Sequence, residues 1–149
     1  MSGRKIRGNL AEDTIQDNAY IVVVAKSARM LAQAAHKAGL KPLVIDLWGD
    51  QDTRCYAEEL VQIPTLASED LSSAVNYFLD RYPLSCGIYG GGFERHPDSL
   101  QYLANHLTLL GNTPETFARL NSKPEFFSTL KTLGIPYPEV SFTPPDHET

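Results

Sequence analysis

The chain has 149 residues, of which 42% are hydrophobic and 9% aromatic, so it is long and apolar enough to bury one core. Its 18 acidic and 13 basic side chains leave a formal net charge of -5. This balance argues against nucleic acid and anionic membranes as partners, because neutralising phosphate groups requires clustered lysine and arginine. Small anionic ligands need only a few local donors and are compatible with it.

Two features indicate the compartment and argue against metal chemistry. Cys55 and Cys86 are far apart and form no C-x-x-C motif, and the four histidines are dispersed, so neither a disulfide framework nor a metal site is predicted. The first apolar run, residues 20–25, is too short for a secretory signal or a membrane span. We therefore expect a cytoplasmic protein with free thiols, no metal ligands and no catalytic residues of its own.

The chain alternates short apolar runs with segments of helical periodicity. Residues 20–25 are continuous and rich in β-branched side chains, as in a strand buried on both faces. Alanine and leucine then recur at helical spacing until Gly39, which predicts the helix end. In chain order, strands are predicted at residues 20–25, 42–46, 84–89 and 107–110, with a further short extended piece within 57–63. Helices are predicted to begin near residues 28, 68, 97, 114 and 124, the second with Ser68 as its N-cap.

This alternation predicts an α/β fold with a mainly parallel four-stranded sheet flanked by helices. The strand order 2-1-3-4 is favoured, in the numbering of the four main strands. In such sheets ligands gather at the carboxyl ends of the strands, where the order switches direction. Three loops are expected at that edge: residues 25–29, 46–54 and 89–95.

The first of these loops contains no glycine, unlike the G-x-G-x-x-G turn with which dinucleotide-binding enzymes approach a pyrophosphate. The absence of this glycine-rich turn argues against an NAD or FAD dehydrogenase. Two interpretations remain for Lys26, Ser27 and Arg29. They are a capping serine between two solvated cations, which is favoured, or an anion site at the start of the helix.

The second loop is acidic, beginning with Asp46 and continuing through Asp50 and Asp52. These carboxylates have two interpretations: they bind a cation or an amine-bearing substrate, or they form turns by accepting bonds from nearby backbone groups. The spacing lacks the ligand set and terminal glutamate of an EF-hand, which argues against a calcium loop.

The third loop carries three consecutive glycines, Gly90 to Gly92, followed by Phe93 and Glu94. Glycine runs cost backbone entropy and mark special backbone angles or a close approach to the main chain. No Gly-Lys-Ser/Thr follows, so the loop is not a P-loop. A flexible turn is the alternative. We favour a ligand-binding role, because the loop lies on the predicted ligand edge and carries Glu94.

Taken together, these features resemble the N-terminal preATP-grasp domain of the ATP-grasp superfamily and its connecting segment. The resemblance rests on the glycine-free turn Ser27-Ala28-Arg29, the loop from Ile45 to Thr53, the Gly91-Gly92-Phe93-Glu94 segment, and a final run. That run comprises Leu110-Gly111-Asn112, Asn121-Ser122-Lys123 and Leu133-Gly134-Ile135-Pro136-Tyr137-Pro138. It resembles the junction where a lysine opens a helix ahead of the ATP-binding domain.

The resemblance implies an ATP-dependent carboxylate–amine ligase or a related ligase, which forms an acylphosphate with ATP and Mg²⁺. It places Lys123 at nucleotide phosphates, and Asp46, Gly91, Gly92 and Glu94 on the substrate side of the cleft. It also divides the chain into a flexible arm (1–18), a Rossmann-like preATP-grasp domain (19–112) and a helical linker (113–149).

The phosphate lid, second lysine and magnesium ligands of ATP-grasp chemistry are not in this sequence. We therefore expect the chain to need a further ATP-grasp domain as its partner, to bind no ATP or Mg²⁺ alone, and to be inactive alone. Its ligand would be a small-molecule carboxylate. Exposed apolar side chains at the missing contact, including Phe117, Phe126, Phe127 and Tyr137, would permit a homodimer. The alternative is a stand-alone Rossmann-like module that binds a nucleotide, metabolite or protein without catalysis.

Overall fold

The computed structural model describes residues 19–143. The predicted N-terminal arm, residues 1–18, lies outside the described residues. The chain divides between Gly111 and Asn112 into two compact units.

The first unit is built on a parallel sheet, which confirms the α/β fold predicted from the sequence. Within the described residues the sheet has five strands in the order β3-β2-β1-β4-β5. Their bounds are Tyr20–Ala25 (β1), Lys41–Asp46 (β2), Glu59–Gln62 (β3), Cys86–Tyr89 (β4) and Thr108–Leu109 (β5). Each adjacent pair is parallel.

Helices flank this sheet. Alternate residues of its central strand point to opposite sides, and both sets are buried. Ile21, Val23 and Ala25 pack in one core cluster with alanines of the helix that follows β1. Val22 and Val24 are also buried and point to the other face. The helices of this unit are Arg29–Lys37 (α1), Gln51–Arg54 (α2), Ser68–Leu79 (α3) and Pro97–His106 (α4), with a 3-10 turn at Phe93–Arg95. Burial on both sides explains why β1 and β2 read as unbroken apolar runs.

Two details of the sequence prediction need correction. The sheet has five strands rather than four, because residues 59–62 of the short extended piece pair with β2. The order of the four predicted strands is retained, with β3 added outside β2. Ser68 is the first residue of α3 rather than its cap; Ala67 occupies the cap position, and the Ser68 hydroxyl lies 3.2 Å from that of Ser99.

Within its described residues, 112–143, the second unit contains two helices, Pro114–Asn121 (α5) and Lys123–Thr132 (α6), followed by a segment without regular secondary structure. Thr113 caps α5 by accepting a bond from the Thr116 amide. No residue of either helix is buried. Of the four aromatic residues expected on an exposed apolar surface, Tyr137 is exposed, whereas Phe117, Phe126 and Phe127 are half-buried. Other large apolar side chains of this unit are exposed as well: Leu120, Leu133, Ile135, Val140 and Phe142.

Candidate functional site

The glycine loop after β4 is fastened to the end of β1. The Gly90 amide donates to the Val24 carbonyl at 2.8 Å, and the Lys26 amide donates to the Gly91 carbonyl at 2.9 Å. The Gly92 amide donates to the Glu94 carboxylate at 3.1 Å. The loop is therefore a hydrogen-bonded turn that holds the first and third predicted loops together, rather than a flexible connection.

The three glycines have different reasons to be glycine. A Cβ on Gly90 would lie 2.9 Å from the Cβ of Ala25. Gly92 has a φ of +116°, which side chains rarely adopt, and a Cβ there would lie 2.7 Å from Leu66. Around Gly91, by contrast, there is no atom within 4 Å of such a Cβ, and the residue is exposed. The close approach to the main chain that the sequence predicted is made at Gly90 and Gly92 by other residues of the same chain. Of the three glycines, only Gly91 has open space beside its backbone.

Asp46 ends β2 and is fully buried, with 0% of its surface exposed. One carboxylate oxygen accepts the Ala28 amide at 2.6 Å, and the other accepts the amides of Trp48 and Gly49 at 2.6 and 2.7 Å. A carboxylate at a helix start is stabilised by the unpaired N–H groups there. Asp46 therefore caps α1 from a distance and shapes its own loop, a positioning role in which both oxygens are occupied by backbone donors.

The loop after β2 is held from its other side too. The Gln62 amide donates to the Leu47 carbonyl at 3.0 Å, and the Arg54 guanidinium donates to the Gly49 carbonyl at 3.0 Å. Gly49 turns the chain with a φ of +61°. The side chain between these anchors, Trp48, is 58% exposed.

These loops enclose an open cleft of about 890 Å³ at the carboxyl edge of the sheet. It is lined by Lys26 and Ser27 after β1, Leu47 and Trp48 after β2, residues 64–66 after β3, and residues 91, 92 and 94–96 after β4. The predicted convergence of the three loops is confirmed, and the short segment after β3 completes the wall. The cleft combines two cations, Lys26 and Arg95, with the anion Glu94 and the indole of Trp48.

Sequence reasoning placed some of these residues and missed others. Gly91, Gly92 and Glu94 line the cleft, whereas Asp46 is buried and its carboxylate binds backbone groups. Lys123 is exposed at the first position of α6, in the second unit, with its ammonium 6.0 Å from the Phe126 ring. A lysine does open this helix as expected, and its nucleotide contact stays a prediction.

The favoured interpretation of the first loop is partly wrong. Ser27 makes no capping bond; Ala28 is at the cap position, and the Asp46 carboxylate replaces a capping side chain. Arg29 pairs with Asp52 at 3.5 Å on an exposed surface outside the cleft, whereas Lys26 lines the cleft. Nearness to a strand end could have identified Trp48 after β2, and it supports the anion-site interpretation of Lys26 after β1. Arg95 lies beyond the glycine loop, in the turn Phe93–Arg95, and has no comparable local signal.

Among residues 19–143 there is no cluster of three or more histidine, cysteine, aspartate or glutamate side chains that could hold a metal ion. Within the same range no helix is long and apolar enough to cross a bilayer. Cys55 is exposed, and Cys86 is buried on β4, where burial raises the pKa of its thiol.

The architecture matches that of several solved enzymes. N5-carboxyaminoimidazole synthetase from Staphylococcus aureus superposes with a TM-score of 0.62 at 24% identity, covering 80% of this chain and 31% of that chain. The chain has the preATP-grasp fold. N5-carboxyaminoimidazole ribonucleotide synthetase from Thermotoga maritima gives 0.59 at 22% identity, covering 81% of this chain and 32% of that one. The biotin carboxylase domain of a single-chain bacterial carboxylase superposes with a TM-score of 0.61 at 16% sequence identity, covering 86% of this chain and 32% of that chain.

The resemblance to ATP-grasp enzymes is thus confirmed at the level of the preATP-grasp fold. This chain spans about a third of the length of each of these three matched chains. The Staphylococcus aureus enzyme was also solved in complex with ADP. No protein-family model and no curated protein matches the sequence.

Proposed function

We propose that this chain is the substrate-side region of an ATP-dependent carboxylate–amine ligase, or a related ligase, of the ATP-grasp type. The observation that carries the proposal is the convergence of three strand-end loops on one cleft, in a fold shared with such enzymes over about a third of their length. Open α/β sheets bind ligands at this edge. The cleft is accordingly where the small-molecule carboxylate binds.

Two side chains fit the carboxylate of that ligand. Lys26 and Arg95 lie on the cleft wall after β1 and β4, and a guanidinium can form paired hydrogen bonds with a carboxylate. Gly91 offers an open backbone against which a ligand can pack. Glu94, which also lines the cleft, supports recognition of a neutral or cationic group elsewhere on the same ligand.

The nucleotide belongs to the rest of the enzyme in this proposal. Lys123 would contact its phosphates as a point charge, and a further ATP-grasp domain would supply the magnesium ligands and the phosphate lid. The 149-residue chain would then neither hydrolyse ATP nor ligate a substrate by itself. The exposed apolar side chains of the second unit give it a surface for that domain or for a second copy of the chain.

The carboxylate site is tested with cyclohexanecarboxylate and its neutral counterpart, cyclohexanecarboxamide, by following the backbone amide signal of Gly91 during titration. We expect the acid to bind more tightly than the amide. Lys26→Ala and Arg95→Ala should each lower the affinity for cyclohexanecarboxylate by roughly threefold to tenfold, because a hydrogen bond to a charged group is lost at a partly solvated site. Arg29→Ala is the matched control, since Arg29 is paired with Asp52 outside the cleft. Equal binding of acid and amide would contradict the proposal.

The alternative, a stand-alone nucleotide-binding module, makes a different prediction. Calorimetric titration of the purified chain with ATP and Mg²⁺ should give no saturable heat if the nucleotide site lies mainly on another domain. Tight, saturable binding of ATP would favour the stand-alone module, and turnover of ATP would overturn the expectation of inactivity.

A further inference from the structure

Trp48 is a large apolar side chain that the structure holds in solvent. It is the only tryptophan of the sequence, and 58% of its surface is exposed on the wall of the cleft. Exposing an indole forgoes the stabilisation that burial would give it. Apolar side chains scattered singly over a protein surface are common. Trp48 differs in that it lies on the wall of a cleft and on a loop whose backbone is held by hydrogen bonds.

The backbone on both sides of Trp48 is fixed by contacts that leave its side chain outward. The buried carboxylate of Asp46 accepts the Trp48 and Gly49 amides, the first at 2.6 Å. Gln62 and Arg54 bind the carbonyls of Leu47 and Gly49 at 3.0 Å each. Four hydrogen bonds therefore fix the backbone of the loop that carries the Trp48 side chain.

The backbone turn that follows Trp48 is fixed as well. Gly49 takes a φ of +61°, and a Cβ there would lie 2.9 Å from the Gln62 side chain. Gly49 packs closely against Gln62, and its amide is hydrogen-bonded to Asp46. These contacts fix the turn at the residue that follows Trp48. Preset groups lose less conformational entropy when a ligand binds, which is the usual basis for a rigid aromatic contact.

Resting on the function proposed above, we infer that Trp48 is a stacking platform that selects ligands with a planar, unsaturated group attached to their carboxylate. Flat rings gain from stacking on an indole face, whereas puckered aliphatic rings of similar size gain mainly from area. Lys26 and Arg95 on the same cleft provide the charge that such a ligand needs. The ligand class is therefore a planar acid.

The test compares benzoate with cyclohexanecarboxylate, which have the same charge and ring size but differ in planarity. Titrations of the full chain are followed at the Gly91 amide, and ring-current shifts of the single indole N–H report stacking. We expect benzoate to bind roughly threefold to tenfold more tightly. Trp48→Ala should abolish this preference and Trp48→Phe should retain most of it. Met30→Ala is the matched control, because Met30 is 77% exposed and does not line this cleft.

The outcomes separate this inference from the function on which it rests. If cyclohexanecarboxylate and benzoate bind equally, and both more tightly than cyclohexanecarboxamide, the platform is overturned while the carboxylate site stands. If acid and amide do not differ, the proposed function itself fails. A benzoate preference that survives in Trp48→Ala also overturns the platform. Thermal unfolding of each variant verifies that the fold is intact, as expected for a substitution at an exposed side chain.

Discussion

Replacing Asp46 by alanine tests whether this residue holds the ligand edge of the sheet together. The substitution removes both oxygens that accept the Ala28, Trp48 and Gly49 amides. It leaves three backbone donors without partners and the start of α1 without its negative charge. We expect a large loss of stability, in line with the turn-forming interpretation of this carboxylate rather than the substrate-side role that the family resemblance implied.

The magnitude follows from the burial of the three donors. The bond to Ala28 is buried, and an unsatisfied buried N–H group costs about 1–3 kcal/mol. The bonds to Trp48 and Gly49 are part-buried, so water replaces them in part and each costs less. Together the loss is about 2–5 kcal/mol, a large fraction of the roughly 5–15 kcal/mol that stabilises a domain. For a unit of this size it corresponds to a fall in Tm of roughly 10–20 °C.

Denaturant unfolding followed by circular dichroism measures this change. The stability of Asp46→Asn should lie between that of the wild type and that of Asp46→Ala. Its side-chain amide keeps one acceptor oxygen but presents an N–H₂ group to the remaining backbone donors. Asp52→Asn is the matched control, since its carboxylate is exposed and pairs with Arg29 only at 3.5 Å. The reasoning is refuted if Asp46→Ala unfolds at the denaturant concentration of the wild type, or if Asp52→Asn costs as much.

Three further predictions follow from the structure. Gly92→Ala should destabilise the fold by about 1–3 kcal/mol in denaturant unfolding, because of its positive φ and tight packing, whereas the open position Gly91→Ala should change stability little. Hydrogen bonds from Tyr77 and Tyr82 hold the pKa of Glu59 below its usual range. The stabilisation that the ionised Glu59 carboxylate contributes should therefore be fully present above pH 4.5 and be lost as the pH falls through its lowered pKa. Tyr77→Phe should make this pH dependence of stability weaker. The same carboxylate raises the pKa of Tyr82 to about 12, so its tyrosinate absorbance should appear near that pH. The stabilisation that this contact contributes should be present below pH 10 and be lost as the pH rises from 10 to 12. Titration of Tyr82 near pH 10 would contradict this contact.

The central sheet was predictable because its strands carry their own signal. β1 and β2 are buried on both faces, which requires an unbroken apolar run, and such a run is visible without a structure. β3 was only partly visible, because its four residues are half-buried or exposed and include two polar side chains. Its pairing depends on contacts with distant residues, such as the Glu58 amide donating to the Pro42 carbonyl at 2.8 Å. Those contacts have no local sequence signature.

The location of the cleft was predictable from topology, whereas for residues such as Asp46 the sequence left two roles open and could not choose between them. Strand ends meet at one edge of a parallel sheet, so three loops had to converge there. Whether the side chain after a strand points into the cleft or under it depends on the neighbouring turn. Asp46 points under α1, because the Ala28 amide is presented there as a donor. Lys26 and Trp48 follow strand ends in the same way and line the cleft.

The position of Asp46 also explains why the absence of glycines in the first turn matters. In dinucleotide-binding folds the pyrophosphate lies at the start of the first helix, where unpaired N–H groups and the helix dipole favour negative charge. Here a buried carboxylate of the protein already binds the Ala28 amide at that point, at 2.6 Å. A ligand phosphate at that amide would have to take the Ala28 bond from a buried carboxylate oxygen, and the two negative charges would repel each other. For the carboxylate ligand proposed above, we therefore expect substitutions of Lys26 and Arg95, which line the cleft, to weaken binding more than a change at the Ala28 amide would.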